Sequence, residues 1–206
     1  MDKKKYLLIV FCGMDGSGKT TLAKKVVEFF KKQGLKFEFI HAHGYSISQN
    51  SFGLDEERVN RLKYLFRLLI PFAFLDNLFT YYFKYKPILR NKVLICDRYF
   101  YDKVARMMYY GICNKFIAKI YLRLLPSPDF AFFLDASSKD VYKRKGEHSE
   151  KNLSYYRKMY RFIAKYLNAP VIDTNQPVNV CYKDCLLYTS DAADEGLGVD
   201  LGGRRI

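Results

Sequence analysis

The sequence contains no apolar stretch long enough to cross a bilayer. In its most apolar region the run free of formal charge extends only from Leu68 to Leu75, interrupted by Pro71, whereas a spanning helix needs about 20 such residues. A signal peptide is not expected either. The N-terminus, MDKKKYLLIVFCG, is basic and then apolar, but it offers no small-residue cleavage site and runs straight into a glycine-rich motif. Metal-ligand spacing is also lacking: the cysteines number five, and His41, His43 and His148 form no ligand set with them, so zinc is not expected. An odd set of free thiols fits a reducing compartment, and the cytoplasm is the expected location. Acidic residues are scarce, 21 Asp plus Glu against 35 Lys plus Arg, for a formal net charge of +14. Yet the basic residues nowhere form a block of five, and they are interspersed with 18 Tyr and 17 Phe. That dispersion reads as a solvated surface rather than a nucleic-acid interface, although a basic cleft would suit phosphorylated small substrates.

No internal repeat or linker breaks the chain, and 206 residues with 50% apolar content suit one domain with a sound core. Short apolar runs at residues 6–12, 36–42, 92–96, 129–134 and 170–173 read as five strands, mostly continuous rather than alternating and therefore buried on both faces. Residues 43–53 read as a loop. Helical periodicity is expected over 18–33, from about 55 to 86 with a break at Pro71, over 100–125 with an interruption near Gly111, over 138–145, over 150–168, and from about Val178. Strands alternating with helices predict an α/β fold with a mainly parallel sheet. In such a sheet the turns from strand to helix share one edge, where ligands bind. Gly13 to Thr20, Asp97-Arg98, Asp135 and Asp173 all follow strands and should gather there.

From Cys185 to Ile206 the text changes character: CLLYTSDAADEGLGVDLGGRRI. Tyr and Lys thin out and Gly and Asp rise. This stretch closely resembles the translation of a transposon-type sequencing-library adaptor. Residues 185–206 are therefore expected to be a non-native tail, leaving 1–184 as the domain and shortening its last helix.

Residues 13–20, GMDGSGKT, match G-x-x-x-x-G-K-[ST] between a buried strand and an amphipathic helix. A triphosphate needs converging backbone N–H groups at a helix N-terminus. Gly13, Gly16 and Gly18 allow close backbone approach. Asp15, Ser17 and Thr21 complete the cradle. Lys19 is placed to reach the β- and γ-phosphates, and Thr20 to offer an oxygen to Mg²⁺. A switch GTPase is not expected, because neither Asn91-Lys92 nor Asn114-Lys115 is followed by the aspartate of a guanine-reading motif. Asp97 and Arg98 could organise Mg²⁺ and clamp an acceptor phosphate, or could form a structural ion pair capping the next helix.

The spacing of GMDGSGKTT, ICDRYFYD and PSPDFAFFLD, followed by the basic VYKRKGE, resembles the thymidylate kinase family over residues 6 to about 180. The resemblance implies a three-layer P-loop kinase core with a five-stranded parallel sheet flanked by helices. It implies Mg-ATP as donor, a nucleoside monophosphate as acceptor with dTMP the default, and a homodimer. It also implies that Asp15 approaches the acceptor sugar, that Arg98 binds the acceptor phosphate, and that a lid at about 143–153 brings Arg144, flanked by Lys143 and Lys145, over the transferring group. Other features depart from the family. Phe100, Tyr101 and Asp102 follow Asp-Arg-Tyr where the family has a serine and a Tyr-Gln pair, no Gln follows, and Asn77 aligns near an arginine that meets the acceptor. Phe72 or Phe74 could stack on a base or belong to the core. Two alternatives stay open: a kinase for a non-nucleotide acceptor, and a nucleotide-binding protein without turnover.

Overall fold

The computed structural model describes residues 7–41, 56–146 and 149–192. The expected loop at 43–53, His43, His148 and residues 193–206 lie outside the described residues. Five strands, β1 (Leu8–Gly13), β2 (Phe37–His41), β3 (Val93–Asp97), β4 (Phe130–Asp135) and β5 (Val171–Asp173), form one sheet in the order β2-β3-β1-β4-β5. Every pairing is parallel, so all five strands end at the same edge.

Period-two side-chain alternation in β1 divides the core into two. Leu8, Val10 and Cys12 face one cluster, together with Val104, Ala105, Ile163 and Ala164. These last come from α5 (Phe100–Tyr109) and α8 (Glu150–Leu167). Ile9 and Phe11 face the other cluster, with Leu22, Val26 and Phe30 of α1 (Lys19–Lys32) and Cys181 and Cys185 of α9 (Val178–Ala192). Helices cover both faces, which is why β1 and β3 are buried along their whole length. The expected α/β class with a five-stranded parallel sheet is what the structure contains.

Helix boundaries follow local chemistry. Asn114, Ser137 and Ser149 each accept a backbone N–H with their side chains, capping α6 (Lys115–Leu124), α7 (Ser138–Lys145) and α8. The break expected at Pro71 falls two residues earlier. α2 (Glu56–Leu68) stops before Leu69, and α3 (Ile70–Thr80) carries Pro71 in its first turn, where the missing N–H costs nothing. A π-helical segment, Tyr81–Tyr85, then leads into α4 (Lys86–Ile88). Tyr85 turns inward here and stacks on Phe100, ring centroids 5.7 Å apart.

α9 does not stop at residue 184. It continues to Ala192, and Cys185 is buried against the α1 side of the sheet.

Phe132 is fully buried and stacks on Phe11 with centroids 5.5 Å apart. Phe132→Ala is expected to cost about 3–5 kcal/mol, measured as a lower urea midpoint with an unchanged denaturant slope.

Candidate active site

The turn from β1 to α1 is built on glycine. Gly13 has φ +152°, and a Cβ there would stand 2.7 Å from the carbonyl oxygen of Leu134 on the neighbouring strand. Gly16 has φ +83° and lies under α7, where a Cβ would already touch Val141 and Lys145 at 3.5 Å. The loop can therefore close tightly against both neighbours. Lys19 folds back over it, only 5% exposed. Its Nζ donates to the carbonyl oxygens of Gly13 at 2.9 Å and Met14 at 2.7 Å, and sits 3.7 Å from Asp15 Oδ1. Burial lowers the pKa of Lys19, against the opposing pull of the Asp102 and Asp97 carboxylates.

Asp97 is fully buried at the end of β3 and lies in register with Phe11 of β1 and His41 of β2. Its Oδ2 accepts from the Thr20 hydroxyl and lies 3.0 Å from His41 Nδ1. Its Oδ1 is buried with no hydrogen-bond partner. Arg98 does not pair with Asp97. It adopts φ +79°, anchors its N–H on Phe11 O at 2.9 Å, and directs its guanidinium to the Asp15 carboxylate. The left-handed turn is what separates neighbours in sequence into partners of different elements. The helix cap that Asp97-Arg98 could have provided comes instead from Asp102, which accepts from the Tyr99 N–H at 2.9 Å.

Asp102 does more than cap. It is buried, and Oδ1 accepts from the Gly13 N–H at 3.3 Å and the Tyr160 hydroxyl at 2.9 Å, while Arg98 Nη1 stands 4.0 Å away. One carboxylate thus joins the phosphate loop, α5 and α8. Sequence inspection notes Asp102 only within the segment after Asp97-Arg98-Tyr99; nothing local announces its contacts with residues 89 and 58 positions away.

Asp15 to Leu22, His41, Asp97, Arg98, Arg144 and Lys145 line a single cleft of about 820 Å³, closed on the far side by Thr174, Gln176, Pro177, Val178 and Cys181. Gly16, Ser17, Gly18, Lys19, Thr20 and Thr21 are thus assembled with Asp97, Arg98 and Arg144. Gly13 is not among the walls and serves from behind. Arg144 Nη1 donates to Gly16 O at 3.2 Å, so α7 reaches the loop directly, whereas Lys143 is exposed outside the cleft walls. The Thr174–Cys181 wall and His41 escaped motif reading, although both adjoin the strand ends where ligand-bearing residues were expected.

Asp135 and Asn77 are committed elsewhere. Asp135 accepts from Arg157 at 2.5 and 2.7 Å and from Arg161 at 2.5 and 3.1 Å, tying α8 to the end of β4. Asn77 is buried, donating to the Tyr121 hydroxyl at 2.9 Å and accepting from Lys103 Nζ at 3.1 Å. Burial pushes the Lys103 ammonium down to about 8, against the pull of Asp76. Phe74 packs edge-on against Tyr121, and Phe72 is 59% exposed. The core reading holds for Phe74 and not for Phe72.

Comparison with known proteins places this geometry. The model of the thymidylate kinase family matches residues 11–184. A protein named "Probable thymidylate kinase" from Sulfurisphaera tokodaii is 28% identical over 173 residues, covering 80% of this chain and 86% of its own. One of the same name from Archaeoglobus fulgidus is 26% identical over 182 residues, covering 84% and 89%. The crystal structure of thymidylate kinase from Ehrlichia chaffeensis superposes with a TM-score of 0.61 at 20% identity, over 90% of this chain and 99% of that one; at that identity it speaks to the fold.

Burial works to raise the Asp135 pKa, but hydrogen bonds from Arg157 and Arg161 outweigh it and hold the carboxyl below its ordinary range. A depressed folded-state pKa stabilises above the unfolded value and loses that contribution as pH falls through the folded one. Asp135→Asn should therefore be less stable than the parent at pH 7, with the gap closing below about pH 4, the ordinary carboxylate range. Urea midpoints across pH check this; a gap constant with pH would refute it.

Proposed function

The chain belongs to the thymidylate kinase family, and on that footing we propose that it transfers the terminal phosphoryl group of ATP to a nucleoside monophosphate, with dTMP as acceptor. The observation that carries this is the meeting in one cleft of the phosphate loop and Lys19, the unpartnered Asp97 Oδ1, and arginines from two separate elements, Arg98 and Arg144.

The donor polyphosphate lies along Gly13–Thr21, where the loop and the first turn of α1 offer N–H groups. Lys19 exchanges its carbonyl contacts for phosphate oxygens. Its buried ammonium is then neutralised by negative charge, where low local polarity makes such contacts count most. Arg98 leaves Asp15 for the acceptor phosphate, and Asp15, so released, is free to accept from an acceptor hydroxyl. Arg144 projects from the lid onto the loop and stands ready to contact the moving phosphoryl group. The reaction is accelerated by positioning and charge stabilisation, with little covalent chemistry required of the protein.

Asp97 and Thr20 fit a hard, oxygen-preferring cation. Asp97 keeps one carboxylate oxygen unpartnered, and Thr20 gives its hydroxyl proton to the other, leaving the threonine lone pairs outward. Mg²⁺ held by these two residues would neutralise charge on the donor phosphates.

The same proposal extends to the chain's organisation. The catalytic unit is residues 1–184 with a lid at about 143–153, and 185–206 is a non-native tail; in support, the family match ends at 184. A homodimer is supported by the apolar side chains that α2 and α3 present to solvent, Leu68, Phe72, Leu75 and Phe79. Cytoplasmic location is supported by five free, buried cysteines. Among the described residues no helix is long and apolar enough to cross a membrane.

ADP release from Mg-ATP, measured with dTMP, other nucleoside monophosphates and non-nucleotide phosphate esters, tests the proposal; release with dTMP is expected, and its absence with every nucleotide would refute it. Lys19→Ala should lower kcat about 10²–10³-fold, or roughly 3–4 kcal/mol. An unchanged rate would remove Lys19 from the mechanism.

A further inference from the structure

His41 is the last residue of β2, and the parallel register sets it directly beside Asp97, the last residue of β3. A carboxylate only accepts hydrogen bonds, so the 3.0 Å contact requires the proton to be on Nδ1 of the ring. That proton and the Thr20 hydroxyl converge on the same oxygen, Oδ2. Two donors arriving from different elements, one from the sheet and one from α1, fix both the plane and the rotation of the carboxylate. The consequence is that Oδ1 stays without a hydrogen-bond partner although fully buried. With Thr20 alone, the carboxylate could turn about its last torsion and offer either oxygen. The His41 side chain is 50% exposed and lines the cleft, so its role is not that of a core residue.

We propose that His41 is a positioning residue that holds Asp97 with Oδ1 presented to the divalent cation accompanying the nucleotide, and so sets the affinity of the site for that cation. This rests on the function proposed above. Groups that hydrogen-bond metal-binding carboxylates commonly govern metal affinity by 10–100-fold, and here the partner is supplied by an edge strand whose final residue no motif specifies.

The test uses the full chain saturated with ADP and titrated with Mn²⁺, free and bound metal being distinguished by electron paramagnetic resonance. ADP affinity is measured separately in EDTA. His41→Ala should weaken Mn²⁺ binding about 10-fold and leave metal-free ADP affinity unchanged. His41→Asn, whose amide N–H can stand where Nδ1–H stands, should recover most of the loss. Mn²⁺ affinity equal to the parent in His41→Ala would overturn the proposal. So would an Asn variant as impaired as Ala, or an equal loss of ADP binding in EDTA. Failure of the parent chain to bind Mn²⁺ with ADP would overturn this inference and the functional reading together, whereas parent binding unaffected by His41→Ala would overturn the inference alone.

Discussion

An ammonium group buried among backbone carbonyls organises this site. Lys19 can remain inside only because Gly13 and Met14 turn their oxygens toward it and because Asp97 and Asp102 lie close enough to oppose the cost of burial. Those carbonyls can turn inward only because the loop contains glycines with positive φ, one of them pressed against Leu134. The loop is therefore held in its shape by the group proposed to leave it for phosphate. Binding energy is not needed to build the cradle, only to exchange one set of partners for another.

The same economy extends outward through paired charges. Arg98 rests on Asp15 and Arg144 on Gly16 O, so the cations proposed to meet the two phosphates are already positioned over the loop. Asp102 connects the loop to α5 and α8, and Asp135 holds the same stretch of α8 through Arg157 and Arg161, on either side of Tyr160. α8 follows α7 in the chain. Its two anchors make it the fixed support against which α7 and Arg144 are presented.

The layer between α3 and α5 encloses a buried cation. Lys103 projects from α5 into a buried set formed by Asn77 and the Ala73 carbonyl, with Asp76 3.9 Å away. A cation on one helix thus faces an amide on the other. That a lysine from another helix occupies the same layer is a fact of packing, since its partner lies 26 residues away.

Much of the architecture could be read before any coordinates. Apolar runs bounded by Gly, Pro and Asp dictated the strands, because burial on both faces leaves no room for polar alternation. Gly34, Gly111 and Gly146 marked helix ends, and GMDGSGKT marked the phosphate loop, because these features depend on a backbone geometry that only certain residues adopt. Short-range chemistry of that kind is written locally. What only the tertiary structure decided was partnership. The break before α3, the pairing of Arg98 with Asp15 rather than Asp97, the reach of Asp102 across three elements and the contact of His41 with Asp97 all depend on register and on a left-handed turn. Each joins residues that no local pattern relates, because hydrogen bonds act between atoms brought within about 3 Å, and it is folding that chooses which atoms those are.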